Sequence, residues 1–323
     1  MAEPERTPPP PASKRPSTGT GAIGLPRRPT ARYRVAIVLD SVSGPVPALL
    51  AAWLSALALT SALSPFLAVV IGIGLIGAFV AGLVGIGGAI VLVPMLIYGP
   101  HLVGHEGMEI HAASGVTMVQ VAVAGVTGML AHRRLGNLDV PLTVTLGGSM
   151  AFGSLVGGLT SGLVPADYLS ALFASLAAAA GGMMLASPRT AMAEITDAPR
   201  PVRVPTASAI GLVVGVLVGM VGAGGGFLLV PIMIFLLRVP VRVAVGSTLA
   251  IVAASGVTGS LGKAVTGQID WMVALALVVG ALPGAYVGAR LSRLVPARSL
   301  ARMLGLLIAG IAAKMWWDLL GGG

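Results

Sequence analysis

The 323-residue chain lacks cysteine and contains few charged or aromatic residues. The missing cysteine excludes disulfides, thiol chemistry and thiolate metal sites. Charged residues make up only 10% of the chain, whereas soluble domains carry about a quarter. Hydrophobic residues make up 56%, and several apolar runs reach about 18 residues or more, the length that crosses a bilayer. The composition therefore predicts a polytopic helical membrane protein.

The net charge of +9 does not predict nucleic-acid binding, because the basic residues lie in the N-terminal tail and in short loops between apolar runs. That placement is typical of membrane topology signals. We expect the lipid bilayer as a partner, no nucleic acid and no cofactor. A relay of buried carboxylates is absent from the predicted spans, which argues against a proton pump of that design. The coupling ion, proton or sodium, stays open.

The first part of the chain differs in composition from the rest. Residues 1–45 are rich in Pro, Ser, Thr and Arg and are predicted to form a disordered basic cytoplasmic tail. A transit peptide is the alternative, and the prolines from Pro8 to Pro11 disfavour its amphipathic helix. The predicted parts that follow are an extra N-terminal transmembrane helix at 46–64, a first transmembrane repeat at 65–186, a cytoplasmic linker at 187–206 and a second transmembrane repeat at 207–323.

A glycine-rich motif occurs twice. The pattern G-x-x-G-x-G-G-[AG]-x-x-x-V-P covers residues 82–94 and again residues 219–231. Further segments correspond at one constant offset, through loops as well as spans. Gly125-Val-Thr-Gly128 matches Gly256-Val-Thr-Gly259, and Leu163-Val-Pro-Ala166 matches Leu294-Val-Pro-Ala297. Such a constant offset indicates internal duplication.

The positive charges predict the orientation of the two halves. With the tail inside, the arginine-bearing loops all fall on the cytoplasmic side if each glycine segment makes no net crossing, either as a re-entrant hairpin or as two spans. Three further spans per half is an odd number, so the halves run in opposite directions. The predicted fold is an all-α polytopic membrane protein of two inverted-topology repeats. Each repeat is a glycine-broken re-entrant hairpin plus three transmembrane helices.

This topology places the chain in the cell (inner) membrane, with the N-terminus cytoplasmic and the C-terminus outside. The two glycine apices then enter from opposite faces and meet near the midplane. The first N–H groups of the short helix after each apex have no intrahelical partner and favour an anion. Close helix packing is the alternative role of the glycines. The predicted substrate-binding glycines, acting through their backbone, are Gly85, Gly87, Gly88, Gly222, Gly224, Gly225 and Gly226.

Packing alone suits another set of glycines better, namely Gly153, Gly157, Gly284 and Gly288. Polar side chains within the spans extend the candidate site, because hydroxyls and amides donate to an oxyanion without fixing its charge state. Hydrogen bonds to their own or neighbouring helices are the alternative role. These side chains are Thr117, Gln120 and Thr127 in the first half, and Thr248, Ser255 and Thr258 in the second.

Ionisable residues lie at the ends of the predicted spans. Asp139 and Asp270 start spans and are predicted to cap helices rather than to carry protons. His132 and Lys263 are repeat mates at the mouths of spans, where they either steer anions or are simply solvated interfacial residues. A metal site is not predicted, because the one loop with several candidate ligands lacks defined ligand spacing; those ligands are His101, His105, Glu106, Glu109 and His111.

The doubled glycine motif is similar to that of a known family. Together with Gly136-Asn-Leu-Asp139 and Gly267-Gln-Ile-Asp270, it resembles the TauE/SafE family of sulfite or organosulfur-anion exporters, over about residues 66–320. The resemblance implies permeation of small anions such as sulfite or sulfoacetate, generally by export, although members differ in substrate and some are linked to uptake. Ala89 departs from the second copy, which has Gly226.

The leading hypothesis is a secondary transporter that exports a small oxyanion by alternating access, the two halves rocking around the glycine apices. The alternatives are an anion channel, an uptake carrier for another small anion, and a non-transport membrane scaffold. An enzyme is not expected, because the spans contain neither a nucleophile–base pair nor a carboxylate pair.

Overall fold

The computed structural model describes residues 55, 65–84, 88–133, 139–186, 204–237, 239, 241–291 and 297–321, which all belong to one compact unit. Within these ranges the regular structure is helical and contains no strand, as predicted. The predicted tail 1–45, the extra helix 46–64 apart from Ser55, and the predicted linker up to residue 203 lie outside the described residues. So do Gly85 and Gly87.

Within the described residues, five α-helices lie in the predicted first repeat and five follow it in the chain. The first repeat contains α1 (Pro65–Val84), α2 (Ala89–Tyr98), a 3-10 turn (Pro100–Val103), α3 (Ile110–Arg133), α4 (Val140–Ser161) and α5 (Ala166–Ala186). The second contains α6 (Val204–Val221), α7 (Gly226–Pro231), which continues as a π-helical turn (Ile232–Leu236), α8 (Val241–Val265), α9 (Trp271–Leu291) and α10 (Ala297–Leu319).

Two helix boundaries differ from the sequence-based prediction. Helix α6 begins at Val204, within the predicted linker, because Pro205 in its first turn needs no hydrogen-bond acceptor for a backbone N–H. Helix α8 continues to Val265, and the helix-ending glycine is Gly267, with φ of 70°. The second difference moves Lys263 from a span mouth into a helix.

The two predicted caps are confirmed. The carboxylate of Asp139 accepts the Leu142 N–H at 3.1 Å at the start of α4. Asp270 accepts the N–H groups of Met272 and Val273 at 2.9 and 3.1 Å at the start of α9. Each carboxylate satisfies N–H groups that have no acceptor within the helix. Equivalent residues of the two halves therefore start equivalent helices.

Helices α1 and α2 form an antiparallel pair on either side of the first glycine motif. A Cβ added at Gly77 would collide with Leu92, whereas one added at Gly99 would lie 3.1 Å from the Ile73 side chain. A later residue of α2 is therefore in contact with an earlier residue of α1. This direction is that of a hairpin, and the absence of a net membrane crossing stays a prediction.

Equivalent contacts recur in the two halves, where α1 packs on α9 and α4 packs on α6. At these contacts a glycine Cβ would meet a backbone carbonyl oxygen. The partners match when α1 and α6 are related by the offset between the two glycine motifs, and α4 and α9 by the different offset of the later segments. The pairs are Gly74 with Leu277 and Gly211 with Leu146, then Gly284 with Leu75 and Gly153 with Leu212. Packing is therefore the role of Gly153 and Gly284, as predicted, and also of Gly157, which faces Val216.

The repeat mates α3 and α8 cross each other through small residues. A Cβ added at Gly125 would lie 2.7 Å from Cα of Ala253, and one added at Gly256 would lie 2.9 Å from Cα of Ala122. The two contacts are exchanged by the repeat offset. Because the later residue of α3 faces the earlier residue of α8, these mates run antiparallel.

The helices are apolar on their outer surfaces. Large hydrophobic side chains in mid-helix are more than half exposed, such as Phe152 at 62% and Leu275 at 64%. Contiguous surface of this kind suits lipid better than water. By length and composition, four stretches within the described residues are able to cross a membrane, namely Val140–Ser161, Val204–Val221, Ser247–Val265 and Trp271–Gly288.

Candidate functional site

The second glycine motif forms a buried bend between α6 and α7, here named the second glycine bend (Gly222–Gly225). Gly222, Gly224 and Gly225 have φ of 71°, 65° and 75°, a region that side chains other than glycine rarely adopt. The bend and the residues on both sides of it are buried. The sequence needs glycine here for conformation and for space, because a Cβ at any of these three positions would collide with a neighbouring residue.

Hydrogen bonds at the edges of the bend leave its centre unpaired. The N–H groups of Gly222 and Ala223 donate to Val218 O at 2.9 and 3.3 Å, and those of Leu228 and Leu229 donate to Gly225 O at 3.1 and 2.8 Å. Between them, the N–H groups of residues 224–227 donate to no backbone oxygen of the described residues. Buried donors of this kind are costly in an apolar medium unless a ligand or another group accepts from them.

The bend reaches the middle of its neighbouring helices. A Cβ added at Gly224 would collide with Val121 of α3, and one added at Gly225 would collide with Met150 of α4. Val121 also lies 3.2 Å from a Cβ position at Gly256 of α8. Residues 121 and 150 are central in their helices, so the unpaired N–H groups lie at mid-depth within the helix bundle.

The described part of the first motif has the same local geometry. Gly88 has φ of 77°, and its carbonyl accepts the N–H groups of Val91 and Leu92 at 3.0 and 3.2 Å. The corresponding bonds in the second motif end on Gly225. The predicted binding residues Gly85 and Gly87 lie outside the described residues, so their part of the site stays a prediction.

Two polar side chains of α3 belong to the sequence-predicted site, and one of them, Thr117, contacts the second glycine bend. The Thr117 hydroxyl lies 3.1 Å from Gly222 O and 2.8 Å from Ala113 O, and it links the bend to α3. Gln120 is 3% exposed, and its Oε1 atom has no hydrogen-bond partner among the described residues. A buried acceptor oxygen without a donor is rare in folded proteins.

The predicted side chains of α8 are distributed between two environments. The Thr248 hydroxyl donates to the Met233 sulfur at 3.4 Å, beyond the second glycine bend. Ser255 donates to Val252 O at 3.2 Å, and Thr258 donates to Ala151 O of α4 at 2.7 Å. Ser255 and Thr258 thus act in helix packing here. Thr127 lies in α3, and its side chain lies outside the description.

Of the two alternatives for Lys263, the solvated interfacial residue is wrong, whereas the anion-steering role stays a prediction. Lys263 is 0% exposed, because α8 extends past it and turns its ammonium group inward. Its Nζ donates to the hydroxyls of Ser114 and Ser161 at 2.9 and 3.0 Å. It also donates to Met220 O and to Gln268 Oε1, both at 3.0 Å. The helix-ending Gly267 was the sequence signal that places Lys263 inside the helix.

The loop before α3 has a structural role in the described residues. His111 lies 2.9 Å from Val164 O through Nε2 and 3.0 Å from Glu109 through Nδ1. These contacts join the start of α3 to the loop between α4 and α5. Among the described residues, no group of three or more His, Asp or Glu side chains is arranged to hold a metal ion.

Comparisons with known proteins agree with this architecture. The family model described as sulfite exporter TauE/SafE matches residues 70–315. The chain is 32% identical over 254 residues to a probable membrane transporter protein of Xylella fastidiosa, covering 78% of this chain and 95% of that relative. It is 27% identical over 265 residues to the probable membrane transporter protein YunE of Bacillus subtilis, covering 77% and 97%. No solved structure gives a significant match.

The family match begins near the start of α1 and ends within α10, so it includes both glycine motifs and most of the described helices. The relatives are aligned over nearly their full length. Together with the apolar helices, these matches show that the chain belongs to the TauE/SafE family and is a multi-pass membrane transporter rather than an enzyme.

Proposed function

We propose that the protein is a secondary transporter that exports a small oxyanion, most simply sulfite or an organosulfonate such as sulfoacetate. The anion binds at the second glycine bend and at its counterpart in the first repeat. The single observation that carries this proposal is the set of buried N–H groups at residues 224–227, which donate to no backbone oxygen of the described residues. Such groups coordinate oxyanions through the backbone without needing a charged side chain.

Alternating access is supported by how the repeat mates pack. The α3–α8 contact is made by Gly125, Ala253, Gly256 and Ala122, which come close enough for backbones to touch. Their antiparallel crossing is what an inverted repeat requires. The two halves then rock about this crossing and expose the anion to one face at a time. An anion channel with the same site is the second candidate, and it would differ in lacking saturation.

The test is sulfite flux into proteoliposomes, with sulfoacetate and sulfate as competitors. We compare the wild type with Gly224→Ala, whose methyl group would meet Val121 and whose φ of 65° is unfavourable for alanine. The matched control is Gly104→Ala, because Gly104 has φ of 77° with nothing within 4 Å of its Cβ position. Both variants add backbone strain of about 1–2 kcal/mol, but only the first alters the bend.

We expect saturable sulfite flux in the wild type and in Gly104→Ala. Flux in Gly224→Ala should fall by about tenfold or more, which corresponds to about 1.4 kcal/mol of lost interaction or more. Full flux in a folded Gly224→Ala protein would remove the anion from the second glycine bend. Flux that rises linearly with sulfite concentration, without saturation, would favour the channel.

A further inference from the structure

We infer that Lys263, with Ser114, Ser161 and Gln268, forms a second anion-binding position beside the second glycine bend, here named the lysine station. The proposed ligand is a small anion, either an oxyanion or a halide. The inference deepens the proposed function and rests on it, because the lysine station would supply the charge that the glycine N–H groups lack.

The charge of Lys263 is uncompensated within the described residues. All the groups that accept from its Nζ are neutral: two hydroxyls, one backbone carbonyl and one amide oxygen, at 2.9 to 3.0 Å. Neither of the ion pairs found in the described residues involves Lys263. A buried cation without a carboxylate is costly in a membrane protein and marks a functional position. The missing counter-charge would be the transported anion.

A purely structural role explains the lysine less well, since its neighbours hardly depend on it. The Ser114 hydroxyl donates to His111 O at 2.8 Å, and the Ser161 hydroxyl donates to Gly158 O at 2.9 Å. Gln268 Oε1 also lies 2.9 Å from the Ser161 hydroxyl. Only Met220 O would lose its described donor if the ammonium were removed.

The lysine station is continuous with the second glycine bend. Met220, whose carbonyl accepts from Lys263, precedes Gly222 by two residues in the sequence. The backbone of Ser114 fills the space where a Cβ of Gly222 would lie. Thr117, one turn further along α3, contacts the Gly222 carbonyl at 3.1 Å. An anion that leaves the lysine ammonium therefore meets the bend next.

Gln268 is the ligand that an anion would replace. It lies in the loop after α8 and is partly exposed, whereas Ser114 and Ser161 are 0% exposed. Its Oε1 atom occupies one acceptor position on the Lys263 ammonium, as an anion oxygen would. The hydroxyls of Ser114 and Ser161 would turn away from His111 O and Gly158 O to donate to an arriving oxyanion. The repeat mate of Lys263 is His132, so only the second repeat has a lysine at this position.

The experiment measures anion-dependent thermal stabilisation of the purified full-length protein in detergent. Sodium sulfite, sulfoacetate, sulfate and chloride are titrated against sodium gluconate at constant ionic strength, since a ligand that binds the folded state raises the melting temperature. We compare the wild type with Lys263→Met, which keeps an unbranched side chain of similar length. The matched control is Lys314→Met, because Lys314 is exposed and already paired with Asp318.

We expect the wild type and Lys314→Met to bind the same anion with equal affinity. Lys263→Met should fold and bind that anion more than about tenfold more weakly, because a buried charge interacts strongly with an anion at short range. A folded Lys263→Met protein with unchanged anion affinity would overturn the lysine station. Lower stability without anion, but normal anion affinity, would show a structural role and overturn it too.

A second pair of variants keeps the test decisive if Lys263→Met does not fold. Ser161→Asp places a carboxylate beside the ammonium and supplies an internal counter-ion, whereas Ser161→Asn adds the same bulk without charge. Anion affinity should fall much further in Ser161→Asp than in Ser161→Asn. Equal losses in both would overturn the inference, since bulk rather than charge would then be responsible.

The results separate the inference from the proposed function. Oxyanion binding that does not depend on Lys263 leaves the proposed function intact and removes only the lysine station. Binding of chloride alone, lost in Lys263→Met, supports the lysine station and contradicts an oxyanion substrate. A wild-type protein stabilised by none of these anions would overturn both.

Discussion

At the residue scale, Gln120 provides a direct distinction between folding and transport. Its Oε1 atom and the Thr143 hydroxyl are the buried side-chain atoms without a partner among the described residues. We predict that Gln120→Leu leaves stability unchanged or raises it by about 1 kcal/mol, because an unsatisfied buried polar group is removed. Sulfite flux should nevertheless fall, since Gln120 belongs to the proposed site.

Thr143→Val is the matched control for Gln120→Leu. It removes the other unpaired polar atom with almost no change in shape, at the start of α4 and outside the proposed site. Thermal unfolding in detergent and flux in proteoliposomes are measured for both variants. Thr143→Val should be as stable as the wild type or more so, with normal flux. If Gln120→Leu also transports normally, Gln120 does not contact the anion.

Single residues were the least predictable level from sequence. The caps Asp139 and Asp270 followed from their position before apolar runs, because capping depends on local chemistry alone. The burial of Lys263 was not predicted, because it depends on where α8 ends and on oxygens from three other segments, at Ser114, Ser161 and Met220. Such a pocket is assembled by tertiary contacts that no local pattern encodes.

At the scale of elements, the packing of α4 on α6 depends on particular glycines. A Cβ at Gly153 would collide with the Leu212 carbonyl, whereas a Cβ at Gly148 of the same helix meets nothing within 4 Å. We predict that Gly153→Ala lowers the free energy of unfolding by about 1–3 kcal/mol through overpacking. Gly148→Ala should be neutral or raise it by about 0.5–1 kcal/mol, because alanine favours a helix.

Reversible unfolding in mixed detergent measures both variants under the same conditions. Equal stability of the two proteins would contradict the close α4–α6 contact. The sequence predicted these elements well, since the apolar runs and the doubled glycine motif identify the helices without tertiary information. Their ends were less predictable: the π-helical turn Ile232–Leu236 follows Pro231, but the matching Pro94 lies inside a regular α-helix, so the proline alone does not predict the turn.

At the scale of the whole molecule, one pseudo-symmetry accounts for most of the packing. The two offsets of the repeat, one for the glycine motifs and one for the later segments, relate the α1–α9 contact to the α4–α6 contact, and the second one exchanges the two sides of the α3–α8 crossing. The lysine station breaks this symmetry, since His132 replaces Lys263 in the other half. A transporter needs such asymmetry if its inward-facing and outward-facing states are to differ in anion affinity.

Inverted topology makes a prediction about opposite faces of the membrane. Val140 and Trp271 are repeat mates at the starts of α4 and α9, and they are 60% and 56% exposed. The chain has no cysteine, so Val140→Cys and Trp271→Cys each carry a single reactive thiol. With the N-terminus cytoplasmic, a membrane-impermeant maleimide should label Trp271→Cys in intact cells and Val140→Cys only after permeabilisation.

The cysteine-free wild type measures the background labelling. Leu163→Cys is the positive control, because Leu163 is 84% exposed and lies in a predicted outer loop. Parallel repeats would place both thiols on the same face, so equal labelling of Val140→Cys and Trp271→Cys in intact cells would contradict the inverted repeat. The reverse pattern, with only Val140→Cys labelled in intact cells, would agree with an inverted repeat but with the opposite orientation of the protein in the membrane. The lysine station, near the end of α8, would then lie toward the cytoplasm and receive the anion before export rather than after it.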